Sequence, residues 1–407
     1  MKLSFNNRSI SGVEYIFLLF LSVIYLIPNS PLGSTTFLML ILAYTVLLSA
    51  LDKTIRLVAM KMLFLIAILS LSYLLLTESQ SIAQDASGRD VKRLISKLYQ
   101  YFSLYFPVIL LIRLHNAGTS KQKKGILLVA IGTTLYVIAT TWLFLLENPN
   151  ATREWSSFDE NAEEGVANYY FIYAIPILVG TMATFIVRCR SFARVTVIAL
   201  IATAVLFLVN AQYTLSILIA VIGVVFQIGR SIRSQKGKVL FAMAIIVFVC
   251  FLPAILQLAI DNIPSEQVTT RLSEIYDFLT GKGAGGYNLN GRLTLYGDTL
   301  AAFFKSPLWG NRDVGFDGHA TFLTVLADTG IFGGIPFYVL YVMICKTVSK
   351  LTGACKKHFS VVILMFTLMG LTNPVHASMP LGFVSWFLAP LILITALNKE
   401  EKQNAAL

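Results

Sequence analysis

Long apolar segments run through almost the whole chain and restrict it to folds that expose most of their surface to lipid. Hydrophobic residues make up 56% of the 407 residues, charged residues make up 13%, and the mean hydropathy is +0.73. A helix needs roughly 17–25 mainly apolar residues to cross the hydrocarbon core of a bilayer. Segments near this length are 13–28, 34–50, 58–76, 97–113, 125–146, 167–187, 193–210, 213–229, 238–260, 319–345, 359–373 and 379–397. The sequence therefore predicts an all-α, polytopic membrane bundle of about twelve transmembrane helices.

Basic residues favour alternate connections between these segments, which predicts the orientation of the bundle. Those on one side include Lys121, Lys123, Lys124, Arg188, Arg190, Arg230, Arg233, Lys350, Lys356 and Lys357. Acidic residues collect instead in the connection 147–166. Because Lys and Arg are retained on the cytoplasmic side of a membrane, both termini are expected in the cytoplasm. The net charge of +11 then reports topology, and we expect no nucleic-acid partner.

One predicted outer connection, 261–318, is much longer than the others. It divides the chain into nine transmembrane helices in 1–260, an extracytoplasmic loop in 261–318, three transmembrane helices in 319–397 and a cytoplasmic tail in 398–407. Polar residues outside the apolar segments concentrate in this loop and directly after it. A functional site is therefore expected on the outer face of the membrane.

The extracytoplasmic loop carries two predicted amphipathic helices. The first, over 267–280, has an apolar stripe at helical spacing, made by Val268, Leu272, Ile275 and Leu279. Residues 282–286 form a glycine-rich break. The second helix is predicted to start near Gly291-Arg292 and to stop at Pro307.

Three arginines of the loop are candidates for binding a phosphate at headgroup depth. Arg292 follows a glycine at the predicted start of the second helix. There its planar guanidinium could donate two hydrogen bonds, and the helix N-terminus would add positive potential. Arg271 and Arg312 are weaker candidates. In the alternative reading the loop merely covers the bundle, with Arg292 neutralising Asp298 and Arg271 paired with Glu274.

His319 is the first residue of the tenth apolar segment and would stand at its outer mouth. A neutral imidazole can take a proton from a hydroxyl within hydrogen-bond reach, so His319 is a candidate general base. A helix cap or a headgroup contact is the alternative. His376, in another outer turn, is a poorer candidate. Asp328, nine residues after His319, is either a functional acid or a structural hydrogen-bonding group at the helix break Thr329-Gly330.

Neither a metal nor a cofactor is predicted. The four cysteines form no CxxC motif and no cluster with histidine, so no disulfide and no metal site are expected. The chain has no Walker loop and no Rossmann fingerprint, and the candidate site faces away from the cytoplasm. Nucleotide chemistry is therefore not expected.

Taken together, these residues resemble the signature of the O-antigen polymerase and O-antigen ligase superfamily. The resemblance begins with the Gly-Arg step at 291–292 and an amphipathic helix that ends in Ser306-Pro307-Leu308-Trp309-Gly310. It continues with a histidine and a fixed set of residues after it: His319, Phe322, Leu323, Asp328 and Gly330. The plan of twelve spans, with a large outer loop before the tenth, is similar to that family across most of the chain.

The resemblance implies a metal-independent, inverting glycosyltransferase at the outer face of a bacterial inner membrane. The donor would be a polyprenyl-pyrophosphate-linked glycan, and the acceptor would be another lipid-linked repeat unit or, for a ligase, the lipid A core. By this resemblance Arg292, Arg271 and Arg312 hold the pyrophosphate, Arg292 and His319 are catalytic, and His319 orients or deprotonates the acceptor hydroxyl. Membrane lipid and a chain-length regulator are further expected partners. A sugar pyrophosphate already carries a good leaving group, so charge stabilisation and a base are the main requirements.

Two positions depart from the family pattern. Many members have an arginine at the outer start of the eighth span, where this chain has Ala211-Gln212-Tyr213-Thr214. Three other arginines could replace it: Arg89, Arg93 and Arg153. Ala320 stands where asparagine is common. The missing arginine and the compact motif favour a polymerase over a ligase.

A lipid-linked sugar flippase or another transporter is the alternative from a different functional class. Such a protein would be expected to carry polar groups deep in several spans, and often inverted repeats. The predicted spans contain few such groups, and no internal repeat is evident. An enzyme is therefore favoured.

Overall fold

The computed structural model describes residues 9–28, 32–75, 86–147, 152, 166–186, 191–211, 213–232, 234–262, 266–281, 287–311 and 320–395. Within these ranges all regular secondary structure is helical, which confirms the predicted all-α class. The helices are α1 (Gly12–Leu26), α2 (Ser34–Leu51), α3 (Lys53–Leu75), α4 (Ala86–Tyr105), α5 (Pro107–Ala117), α6 (Ser120–Glu147), α7 (Tyr169–Ile172), α8 (Ile175–Ile186), α9 (Ser191–Asn210), α10 (Thr214–Ser231), α11 (Gln235–Asn262), α12 (Glu266–Leu279), α13 (Tyr287–Lys305), α14 (Thr321–Leu351), α15 (Lys356–Thr372) and α16 (Met379–Phe383), which continues into a π-helical turn at Val384–Leu388.

In the part of the chain that the structure describes, eight helical segments are long and apolar enough to cross a membrane. They are Ser34–Leu51, Lys53–Tyr73, Leu94–Ala117, Ser120–Glu147, Tyr169–Ile186, Gln235–Asn262, Thr321–Leu351 and Gly353–Thr372. The other four predicted spans coincide with shorter apolar helices, at Gly12–Leu26, Arg194–Asn210, Leu215–Ser231 and Met379–Thr395. A multi-pass membrane protein is thus supported, and a total of twelve crossings stays a prediction.

Glycines allow the helices to approach closely at two places in the bundle. α3 packs along α14, where a Cβ atom on Gly333 would lie 2.3 Å from Ser72 Oγ and 2.4 Å from Thr329 Oγ1. α8 packs along α10, where Gly180 and Gly223 lie directly against each other and the side chain of Met365 contacts both. Because lipid tails are as apolar as leucine, association in a membrane depends on such close packing through small residues.

An aromatic cluster forms the core between the end of α4, α14, α15 and the last helix. Trp386 is fully buried in the π-helical turn, and its ring lies 4.7 Å from that of Phe366. The rings of Tyr105 and Tyr341 lie 6.2 Å and 6.1 Å from it. These contacts fix the last helix against the centre of the bundle.

Polar contacts at one end of the bundle join residues that were predicted on the cytoplasmic side. Arg113 donates to both oxygens of Glu14, at 2.7 and 2.8 Å, and Tyr44 donates to the same carboxylate at 3.1 Å. Asn116 donates to Asp52 at 3.2 Å. These contacts place the start of α1, the α2–α3 connection and the end of α5 together, as the predicted alternation of the spans requires.

The middle of the long apolar helix α11 makes little contact with the rest of the bundle. Residues 246–251 are all exposed, although six consecutive residues cover every direction around a helix. Leu256 is the one buried residue of α11, and the helix packs against α12, which follows it in the chain. In a bilayer, lipid would therefore surround the middle of α11.

Candidate functional site

The structure describes only part of what the sequence analysis predicted for the site. Arg271 lies in α12 and Arg292 lies in α13, where the backbone is described and these two side chains are not. Arg312 and His319 lie outside the described residues. The site is therefore built from the elements that surround these positions.

The predicted start of the second loop helix is wrong by about one turn. α13 begins at Tyr287, so Arg292 lies in its second turn and not at its first residue. The reason is that Leu289 extends the apolar stripe of Leu293 and Tyr296 by one more turn. Because the helix dipole acts mainly within the first turn, it adds less to a phosphate site at Arg292 than predicted. The first loop helix, α12, agrees with the prediction to within one residue at each end.

Gly330 breaks α14, as the Thr329-Gly330 step predicted. Its φ of 58° and ψ of −158° are non-helical. In an uninterrupted helix the N–H of Ile331 would donate to the carbonyl of Ala327, and that of Phe332 to the carbonyl of Asp328. The break removes both hydrogen bonds, which would be costly in a membrane unless other groups replaced them.

The end of the segment 261–318 replaces these hydrogen bonds. We call Ser306–Asn311 the docked segment. The N–H of Ile331 donates to the carbonyl of Pro307 at 2.8 Å, and the N–H of Phe332 donates to the carbonyl of Leu308 at 3.2 Å. The carbonyl of Ala327 accepts in turn from the N–H of Asn311 at 2.7 Å. The docked segment thus completes the backbone hydrogen bonding of the broken helix.

Two glycines make this docking sterically feasible. A Cβ on Gly330 would lie 2.4 Å from the carbonyl oxygen of Leu308, and a Cβ on Gly310 would lie 2.3 Å from the carbonyl oxygen of Asp328. Both residues have positive φ, 58° and 84°, a conformation that glycine adopts without strain. The two parts of the predicted motif, Ser306–Gly310 and Asp328–Gly330, are therefore in direct backbone contact.

A second group of contacts organises the start of α14. Thr321 Oγ1 accepts from the N–H of Val375 at 2.7 Å and lies 3.1 Å from the carbonyl of Asn373, to which it donates. It also lies 3.2 Å from Nδ1 of His376. Because Thr321 is two residues after His319, these contacts hold the turn 373–376 beside the chain that carries the predicted general base.

His376 stands in a polar cluster with residues from α3 and α4. Its ring stacks on that of Tyr101, with centroids 6.0 Å apart, and Tyr101 shares a hydrogen bond of 3.2 Å with the hydroxyl of Tyr73. The Lys97 ammonium lies 4.6 Å from the centre of the Tyr73 ring. Asp328 interacts electrostatically with Tyr101. We call Tyr73, Lys97, Tyr101, Thr321 and His376 the mouth cluster.

The mouth cluster keeps His376 neutral. Removal of its ring from water lowers the pKa of His376 to about 3, and the Lys97 ammonium nearby acts in the same direction. At physiological pH the cluster therefore pairs the Lys97 ammonium with a neutral imidazole, and the Asp328 carboxylate is near enough to act on Tyr101. Such a pair can attract an anion and still offer a hydrogen-bond donor or acceptor.

Sequence reasoning ranked His376 below His319 and did not consider Lys97. One signal was available, because Arg89, Arg93, Lys97 and Tyr101 follow one another at four-residue intervals and therefore share a face of α4. The contact of His376 with Thr321 had no such signal, since 54 residues separate the two positions in the chain.

Tyr213 lies in the stretch 211–214, where the resemblance predicts an arginine. Its hydroxyl donates to the carbonyl of Thr152 at 3.0 Å, and its ring meets that of Tyr173. This contact holds Thr152, the residue before Arg153, at the start of α10. Arg153 itself lies outside the described residues, as do the other parts of that loop between 153 and 165.

Among the described residues, no group of three or more His, Cys, Asp or Glu side chains could hold a metal ion. A scan against models of known protein families found no match to this chain, and a search of curated proteins also found none.

Proposed function

We propose that the protein is a metal-independent, inverting glycosyltransferase that joins polyprenyl-pyrophosphate-linked repeat units into a surface polysaccharide. It would act at the outer face of a bacterial inner membrane, with twelve spans and both termini in the cytoplasm. The extracytoplasmic loop 261–318 would lie over the outer ends of the helices. The substrate class and the cellular location come from the resemblance of the sequence motif.

The contact between the docked segment and the break in α14 supports this proposal most directly. The motif consists of two stretches of sequence, and a chance resemblance gives no reason for them to meet. Three backbone hydrogen bonds join Ser306–Asn311 to 327–332. These bonds join the helix that carries Arg292 to the helix that follows His319. The two segments that contain the predicted residues therefore meet at one end of the bundle.

In the proposed reaction, an acceptor hydroxyl attacks the anomeric carbon of the donor sugar. The new glycosidic bond forms as the bond to the pyrophosphate oxygen breaks, which inverts the anomeric configuration. His319 takes the proton from the attacking hydroxyl. Arg292, with Arg271 and Arg312, stabilises the negative charge on the departing prenyl pyrophosphate.

The exposed middle of α11 supports a lateral route for the lipid tail of the donor. A polyprenyl chain must remain in the hydrocarbon region while its pyrophosphate reaches the outer face. Residues 246–251 of α11 are open to lipid on all sides, and the helix continues upward to α12, which carries Arg271. A tail beside α11 would thus place its head group near the loop helices.

The first test is the surface glycan ladder of a strain that lacks the gene, compared with the complemented parent on a gel. A polymerase is indicated if one repeat unit still reaches the surface anchor but no ladder forms. An O-antigen ligase is indicated if lipid-linked polymer accumulates without attachment. An unchanged ladder would contradict both functions and favour a different role, such as transport.

Point variants then test the assigned residues. Complementation with Arg292→Ala or His319→Ala should give no ladder, and Arg292→Lys should restore little, because an ammonium cannot donate in the planar bidentate geometry of a guanidinium. Lys305→Ala removes an exposed charge from the same helix, and His115→Ala removes a histidine from the opposite end of the bundle. These two controls should complement fully. Normal polymer from Arg292→Ala or His319→Ala would contradict the assigned roles.

A further inference from the structure

Lys97 places a positive charge close to the outer start of α14. It is partly buried, its ammonium lies over the Tyr73 ring at 4.6 Å, and its charge affects the neighbouring His376. His376 in turn contacts Thr321, two residues after His319. The cation therefore lies near the start of the helix that follows His319, on a part of the chain that is separate in sequence from the loop arginines.

The surroundings of Lys97 are suited to a charged ligand. The Tyr73 ring stabilises an ammonium through its negative face. The hydrogen bond between Tyr73 and Tyr101 fixes that ring, and the stack of Tyr101 on His376 fixes the imidazole. Both side chains that flank the cation are thus held in place before a ligand arrives, which reduces the entropy lost on binding.

Two more basic residues precede Lys97 on the same face of α4. Arg89, Arg93 and Lys97 are spaced by four residues, which puts these three positions on one helix face along about 12 Å of helix axis. A basic stripe that ends at the mouth cluster can draw an anion from the headgroup region toward His319. α4 is also the least apolar of the helices that continue into a span, as expected if its outer part lies at the membrane surface.

We propose that Lys97 binds a phosphate oxygen of the prenyl pyrophosphate, beside His376 and the start of α14. This inference rests on the proposed function and adds a binding residue from α4 to the loop arginines. Lysine serves here as a compact point charge, in contrast to the bidentate contact expected of Arg292. His376 adds no charge that would compete with Lys97, and its contact with Thr321 Oγ1 holds the start of α14 beside the cation.

The test measures binding of farnesyl pyrophosphate to the full-length protein in nanodiscs, with farnesol as the uncharged comparison. Lys97→Met keeps most of the side-chain stem and removes the charge, so it should weaken binding about tenfold or more, which corresponds to about 1.4 kcal/mol. Lys97→Arg should stay within about threefold of the wild type, since it keeps the charge. Lys92→Met is the matched control, because position 92 lies on a different face of the same helix and should leave binding unchanged.

A second measurement uses the unaltered protein and does not depend on the folding of a variant. Farnesyl pyrophosphate should protect Lys97 from acetylation, read by mass spectrometry, and farnesol should not. If Lys97→Met binds as the wild type does, or if Lys97 gains no protection at saturation, the inference is wrong. If Lys97 fails either test but Arg292→Ala loses binding of farnesyl pyrophosphate, the proposed function still stands. If the wild-type protein does not bind farnesyl pyrophosphate and the deletion strain keeps its ladder, the proposed function fails as well.

Discussion

Replacement of Gly330 by alanine should release the docked segment from α14. An alanine at a φ of 58° and a ψ of −158° carries backbone strain of about 1–3 kcal/mol. Its Cβ would also lie 2.4 Å from the carbonyl oxygen of Leu308 and 2.5 Å from the carbonyl carbon. The Leu308 carbonyl accepts from the N–H of Phe332, and the adjacent Pro307 carbonyl accepts from the N–H of Ile331, so these backbone atoms cannot move away while the segment stays docked.

The free-energy cost of the Gly330→Ala substitution has an upper limit, because the docked segment can detach from α14. Undocking breaks three backbone hydrogen bonds at about 0.5–1.5 kcal/mol each, or roughly 2–4 kcal/mol together. Part of this free energy is recovered after undocking, because residue 330 can then adopt a regular helical conformation within α14. In a helix, alanine is favoured over glycine by about 1 kcal/mol. The variant should therefore shift toward an undocked loop above an uninterrupted α14, while the rest of the bundle stays folded.

Limited trypsin digestion in nanodiscs can measure this shift, because Lys305 and Arg312 flank the docked segment. Cleavage after Lys305 should be faster in Gly330→Ala than in the wild type. Gly310→Ala should behave similarly, because its φ is 84° and its Cβ would contact the backbone of Asp328 and Thr329. Gly297→Ala is the control on α13, where a Cβ meets no atom within 4 Å. Equal cleavage rates for Gly330→Ala and Gly297→Ala would refute the docking argument.

Two further predictions concern the opposite end of the bundle and the mouth cluster. Arg113→Ala leaves the Glu14 carboxylate without its bidentate partner in a largely buried position, so the free energy of unfolding in detergent should fall by about 3–5 kcal/mol. A double variant that also carries Glu14→Leu should recover much of this loss. An Arg113→Ala protein as stable as the wild type would show that the pair contributes little. The pKa of His376 is about 3 in the folded protein, below that of an unfolded histidine, so the unfolded state takes up a proton first and folding stability is lost as the pH falls below about 6.5. His376→Gln should reduce the drop in melting temperature between pH 7 and pH 5, and an unchanged drop would mean that other groups cause it.

The short-range features of this protein could be read from the sequence. Every predicted span coincides with an apolar helix, and α12 matches its predicted bounds closely, because both follow from the spacing of apolar residues within one segment. The start of α13 was placed one turn late because the Gly291-Arg292 step was given more weight than the apolar stripe that continues to Leu289. The break at Gly330 was also visible, as a glycine after a threonine inside an apolar run.

The composition and periodicity of the chain thus determined its class, the positions of its helices and the two stretches of motif. Only the tertiary structure decided that the docked segment fills the gap in α14, and that Lys97, Thr321 and His376 meet at one mouth of the bundle. The physical reason is the range of the forces involved. Partition into lipid and helical periodicity act along neighbouring residues, whereas a borrowed backbone hydrogen bond or an ammonium beside an imidazole depends on residues that only folding brings together.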